Sequence, residues 1–92
     1  MIRSFRCKDT EALYHGRPVK RFRAIQASAE RKLQMLDSTR RIGDLRSPPG
    51  NALESLKGDR QGTWSIRIND QWRLCFRFEE GNAYDAEIVD YH

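Results

Sequence analysis

From Phe22 to Leu36 the apolar residues Phe22, Ile25, Ala29, Leu33 and Leu36 recur at intervals of 3, 4, 4 and 3. That rhythm stacks side chains along one side of an α-helix. It predicts a helix from about Val19 to Asp37, with Pro18 suited to its first turn. The opposite side carries Arg21, Arg31 and Lys32 and reads as the solvated basic back of a core helix. Beyond Leu53 the period changes to two. Trp64, Ile66 and Ile68 alternate with Ser65, Arg67 and Asn69, then Trp72, Leu74, Phe76 and Phe78 alternate with Arg73, Cys75, Arg77 and Glu79. After the turn at Glu80-Gly81-Asn82, the residues Tyr84, Ala86 and Ile88 continue the pattern. Three alternating segments joined by short turns predict an antiparallel meander.

The remaining segments fill in around these two patterns. Ile2 to Phe5 reads as a short first strand, and Asp9 to Tyr14 as one or two helical turns closed at Gly16. Ser38 to Asn51, with Arg46-Ser47-Pro48-Pro49-Gly50-Asn51, has the turn chemistry of an ordered surface loop, and Leu53 to Lys57 is a candidate further strand. The expected architecture is α+β, with N-terminal helices on one face of a small, mainly antiparallel sheet and the other face left polar and basic. At 92 residues the chain fits one domain, residues 1–92, with a single core.

Charge narrows the class of partner. Seventeen Lys and Arg against thirteen Asp and Glu leave a net charge of +4, with Arg17, Lys20, Arg21 and Arg23 clustered. Such a surplus suits an anionic partner, either nucleic acid or an acidic protein. Cys7 and Cys75 form no CxxC pair and have no histidine at zinc-ligand spacing, so no metal site or disulfide framework is readable. Reduced thiols at both positions fit a cytoplasmic protein. No apolar h-region follows Met1-Ile2-Arg3-Ser4-Phe5-Arg6 and no apolar run reaches the roughly 18 residues of a membrane span. Secretion and membrane insertion are not expected.

The candidate chemistry lies in the second half. Alternation puts Arg73 and Arg77 on one sheet face and Arg67 on the corresponding face of the neighbouring strand, while Lys57 and Arg60 lie near the start of the sheet. Arginine forks bind phosphate oxygens in pairs, so this face has the makings of an RNA-backbone groove. The final Asp90-Tyr91-His92 adds a carboxylate, a phenol and an imidazole. Metal-free RNA cleavage by the ribose 2′-hydroxyl needs a base, an acid for the leaving oxygen and positive charge around the phosphate. Histidine titrates near neutrality and suits His92 to proton transfer. Asp90 can accept from or orient a partner, Tyr91 can stack on a base, and Glu54 is a further candidate carboxylate. On residues alone, the nuclease stands beside a non-enzymatic module that binds RNA or a protein partner.

Leu56-Lys57-Gly58-Asp59-Arg60, Gly62, Trp64-Ser65-Ile66, Trp72-Arg73 and Asp90-Tyr91-His92 together resemble the HigB toxins of the RelE superfamily. The likeness begins at Met1-Ile2-Arg3-Ser4-Phe5 and runs most closely toward the GraT branch, through Ala29 to Asp37 and Leu45 to Asn51. The resemblance implies a RelE-like fold and a ribosome-dependent mRNA interferase that cuts the message in the A site without a cofactor. It also implies a HigA-type helix-turn-helix antitoxin through which the toxin reaches operator DNA. Asp90 and His92 match the family's catalytic tail, Tyr91 its neighbouring aromatic, and Lys57 and Arg73 its phosphate-side cations. Arg60, Arg67, Gln71, Arg77 and Glu54 are the accompanying RNA-binding candidates. Glu54 stands where some HigB proteins carry histidine and Gln71 where some carry asparagine. A slow or degenerate toxin is the corresponding alternative.

Overall fold

The computed structural model describes residues 1–56 and 62–91. Lys57, Arg60 and His92 lie outside the described residues, and so does the end of the strand expected over Leu53 to Lys57. In chain order the elements are α1 (Lys8–Tyr14), a 3-10 helix (Lys20–Ile25), α2 (Gln26–Ser38), two short 3-10 turns (Ile42–Arg46 and Pro49–Asn51), and the strands β1 (Glu54–Ser55), β2 (Thr63–Arg67), β3 (Trp72–Glu79) and β4 (Asn82–Asp90). The strands form one antiparallel sheet in the order β1-β2-β3-β4.

The helix expected from Val19 to Asp37 is two pieces. Phe22 and Ile25 are three apart and buried, which matches the three residues per turn of a 3-10 helix. From Gln26 onward the mixed intervals of four and three fit the 3.6-residue turn of an α-helix, and Ala29, Leu33 and Leu36 line the buried side of α2. Two hydroxyls finish that helix: Ser38 Oγ donates to the Gln34 carbonyl at 3.0 Å and Thr39 Oγ1 to the Met35 carbonyl at 2.9 Å, satisfying carbonyls that lack an intrahelical partner.

The core gathers Leu13, Phe22, Ile25, Ala29, Leu33, Leu36 and Leu45 against Ile66, Leu74, Phe76, Ala83, Ala86 and Ile88. The last strand departs from simple alternation. Cys75 pairs with Glu87 but Arg77 with Tyr84, a bulge at which Asp85 takes a left-handed φ of 55°. One extra residue rephases the strand. Ala83 therefore joins Ala86 and Ile88 in the core, while Tyr84, expected inside, turns outward to Arg77. The expected first strand is correspondingly interrupted. Ile2 and Phe5 make isolated parallel bridges to Ala83 and Ala86, and Ser4 Oγ accepts the N–H of the bulged Asp85 at 2.9 Å.

The N-terminal segment is also tied to α2, where Asp37 Oδ1 accepts the Ile2 N–H at 2.8 Å. Burial and then the Asp37 carboxylate raise the Tyr14 phenol above its ordinary 10.0. The folded state thus holds the Tyr14 proton more tightly than the unfolded chain. Its stabilising effect is complete below the ordinary value and is lost as pH rises through the folded one. Denaturation midpoints measured between about pH 9 and pH 11 should fall for the wild type and fall less for Tyr14→Phe. Phe76→Ala, which empties a fully buried site in the middle of the sheet, should cost about 3–5 kcal/mol in urea unfolding.

Candidate active site

The β2–β3 turn and the end of β4 meet at one end of the sheet. Asn69 shapes the turn: its Oδ1 accepts the N–H groups of Gln71 and Trp72, each at 2.8 Å, the local bonding that favours asparagine in turns. Gln71 then clamps the tail twice. Its carbonyl accepts the Tyr91 N–H at 2.5 Å, and its Nε2 donates to Asp90 Oδ2 at 3.1 Å. Asp90 sits opposite Trp72 and Val89 opposite Arg73, so alternation carries Tyr91 back toward the Arg73 side. The Arg73 Cζ lies 5.9 Å from the Tyr91 ring centroid, at the outer limit of a cation–π contact. Tyr91 remains exposed, at 38% of its full surface.

Registers place the other candidates. Arg67 faces Arg73 directly, Glu54 faces Ser65, and Ser65 faces Cys75. Arg67, Arg73, Glu54 and Tyr91 therefore share the sheet face away from the helices, while Asp90, opposite Trp72, falls by alternation on the other face at the end of the sheet. This face was expected to be open, polar and basic, but its centre is closed: Ser65 and Cys75 are buried and Arg73 retains only 9% exposure. The cause is the path of Arg73. From β3 it reaches across β2, donating from Nε to Ser65 Oγ at 2.9 Å and from Nη2 to the Ala52 carbonyl at 2.5 Å, just before β1. Hydrogen bonds compensate the water that a buried guanidinium loses.

Arg77 does not join this cluster. It lies four residues along β3, about 13 Å away at the usual strand rise. There it is engaged by Glu79 at 2.6 Å, by Asp85 at 3.7 Å and by the Tyr84 ring at 4.7 Å. Arg67 bonds the exposed carboxylate of Asp70. Glu54 is exposed on β1. Among the described residues no group of three His, Cys, Asp or Glu side chains is arranged to hold a metal ion, and no helix is long and apolar enough to cross a membrane.

Sequence reading missed Ser65, Asn51 and Ala52, which anchor Arg73 or shape its anchor. Ser65 looked like an outward polar position. Asn51 was absorbed into a turn-rich run, although its side chain is fully buried. Asn69, two residues before Gln71, carried a readable turn signal.

A family model described as "RelE-like toxin of type II toxin-antitoxin system HigB" matches residues 3–92. The chain belongs to the HigB family of RelE-like toxins. Toxin HigB-1 of Vibrio cholerae is 42% identical over 92 residues, covering 96% of this chain and 95% of that protein. The protein named Endoribonuclease HigB from Proteus vulgaris is 36% identical over 97 residues and covers both chains fully. Among solved structures, a YafQ mutant from E. coli superposes with a TM-score of 0.66 at 12% identity, covering 98% of this chain and 91% of its own. The YoeB/ParE toxin from Agrobacterium tumefaciens gives 0.51 at 21% identity, covering 96% of each. These two likenesses bear out the RelE-like α+β fold. As a type II toxin, the HigB-family chain has an antitoxin partner.

The anchoring of Arg73 separates it from the other arginines of the face. Arg73→Lys should lose stability by about 1–3 kcal/mol in urea unfolding, because one ammonium cannot reproduce the bonds to Ser65 and Ala52. Arg67→Lys should stay within about 0.5 kcal/mol of wild type.

Proposed function

We propose that this HigB-family toxin is a ribosome-dependent endoribonuclease that cuts mRNA in the A site and so stops translation. The observation that carries the reading is the meeting of an anchored Arg73 with the Asp90-Tyr91 tail, itself clamped by Gln71. Arg73 is bonded through Nε and Nη2, and its Nη1 edge makes no hydrogen bond among the described residues. A guanidinium held at one edge keeps the other for a phosphate oxygen, already oriented when the substrate arrives.

In the proposed step the ribose 2′-oxygen attacks the adjacent phosphorus, the bond to the 5′-oxygen breaks, and a 2′,3′-cyclic phosphate remains. The 2′-hydroxyl gives its proton to a base and an acid protonates the departing 5′-oxygen. His92 and Asp90 supply proton transfer, and Arg73 with Lys57 stabilises charge on the phosphate. Tyr91 stacks on a base. Arg60 and Arg67 follow the RNA backbone beside the site, Arg77 extends that contact along the sheet, and Gln71 and Glu54 flank the message. The ribosome aligns the 2′-oxygen with the phosphate, a contribution that intramolecular reactions show to be large. The antitoxin partner is of the HigA helix-turn-helix type and brings the toxin to operator DNA. The protein works in the cytoplasm, as one domain and without a cofactor.

The test is to map message ends on ribosomes carrying a defined mRNA, without added metal, for the wild type, His92→Gln and Asp90→Asn. The expected result is an A-site cut by the wild type and a loss of about 100-fold or more in each variant, with the variants still folded and ribosome-bound. Full cutting by both variants overturns the role given to the tail. Ribosome binding by the wild type with an intact message favours a non-catalytic binding module or a degenerate toxin, the latter in keeping with the exposed carboxylate of Glu54 at the histidine position.

A further inference from the structure

Behind the site, hydrogen bonds at Asn51 and at the carbonyl of the next residue, Ala52, connect α2 to Arg73 through the backbone between them. Lys32 donates from Nζ to Asn51 Oδ1 at 2.5 Å. Asn51 donates from Nδ2 to the carbonyls of Leu45 at 3.1 Å and Ser47 at 3.3 Å, beside Met35 Sδ at 3.1 Å. The amide thus engages its acceptor as well as its donors, as a fully buried amide should. The next residue, Ala52, has a left-handed φ of 43°, a conformation that a side chain with a Cβ adopts only at a cost. The carbonyl of this Ala52 is the one that receives Arg73 Nη2.

The surroundings of Lys32 point to the same partner. Among the described residues no carboxylate lies within ion-pair distance of it. Burial, followed by the charges of Arg31 and Arg67, lowers its pKa from the ordinary 10.5. A partly buried ammonium that feels the charge of two guanidinium groups is unfavourable unless an acceptor compensates it, and here the acceptor is the Asn51 side chain. Losing Lys32 removes the donor from a buried amide oxygen, and that amide holds the loop leading into Ala52.

We propose that Lys32 is a positioning residue for Arg73: by fixing Asn51 it sets the left-handed backbone at Ala52, whose carbonyl orients the guanidinium for the phosphate. The inference rests on Arg73 being the phosphate-side cation, and it goes further by giving α2 a part in cleavage. Lys32 itself does not touch the substrate.

The experiment compares wild type, Lys32→Met and Lys32→Arg in ribosome-programmed cleavage, reading kcat and KM separately, alongside the Arg73 Nε–Hε resonance in 15N-labelled protein. Methionine keeps the length and apolar stem of the side chain at this partly buried helical position. The expected result for Lys32→Met is a kcat lower by about tenfold or more with KM unchanged, and a displaced or broadened Arg73 resonance. Lys32→Arg, which can still donate to Asn51, should recover both. A raised KM with wild-type kcat would make Lys32 a backbone contact and overturn the proposal. Lower thermal stability with unchanged kcat and an unmoved resonance would reduce it to a fold contact and overturn the proposal too. If the wild type cuts no message, the nuclease reading falls, while the Arg73 resonance still decides whether Lys32 orients the guanidinium.

Discussion

A guanidinium cannot leave water without hydrogen bonds to replace it, and the sheet end of this protein is organised around that requirement at Arg73. The side chain crosses from β3 over β2 and ends at the carbonyl of Ala52, so three consecutive parts of the meander are fixed by one residue. Ser65 is buried because it lies beneath that crossing, and the strand pairing of β1 with β2 begins immediately after the carbonyl that accepts the last bond. Stability and candidate chemistry therefore share a side chain. Such sharing is expected where a charge must be held still before its ligand arrives.

The tail is held by a different economy of parts. One turn residue, Gln71, contributes its carbonyl to the backbone of Tyr91 and its amide to the side chain of Asp90. Asn69 makes that turn rigid by accepting two backbone N–H groups. Asp90 and Tyr91 consequently inherit their position from a tight turn at the end of a long hairpin, rather than from an independent loop. Ordered elements hold functional groups more accurately than loops do.

The hydrophobic periods of the sequence carried the architecture well, because burial of α2 and of one sheet face imposes them. The split of the long helix was not legible, since the interval of three between Phe22 and Ile25 recurs between Leu33 and Leu36 inside α2. The bulge was not legible, since an extra residue at Asp85 depends on a left-handed backbone that no glycine announces. Within the site, Arg67 and Arg73 share a face as the alternation implies, and the pairing of β1 with β2 adds Glu54 to it. Alternation says nothing of how far a long side chain travels across its face, so the burial of Arg73 was invisible, and so was the buried amide of Asn51. Both belong to contacts between residues distant in the chain. The family, by contrast, was readable from short motifs spread along the whole chain.

Arg77, set apart from the site, leaves its mark on the field above the sheet. Glu79, Asp85 and the face of Tyr84 surround its charge, whereas Arg67 and Arg73 lie opposite each other at the other end of the same face. Among the described residues the pairing of charge therefore differs along the strands: Arg77 meets two carboxylates, Arg67 one, and Arg73 only neutral oxygens. A polyanion laid along this face would meet less compensated positive charge beside Arg73 than beside Arg77.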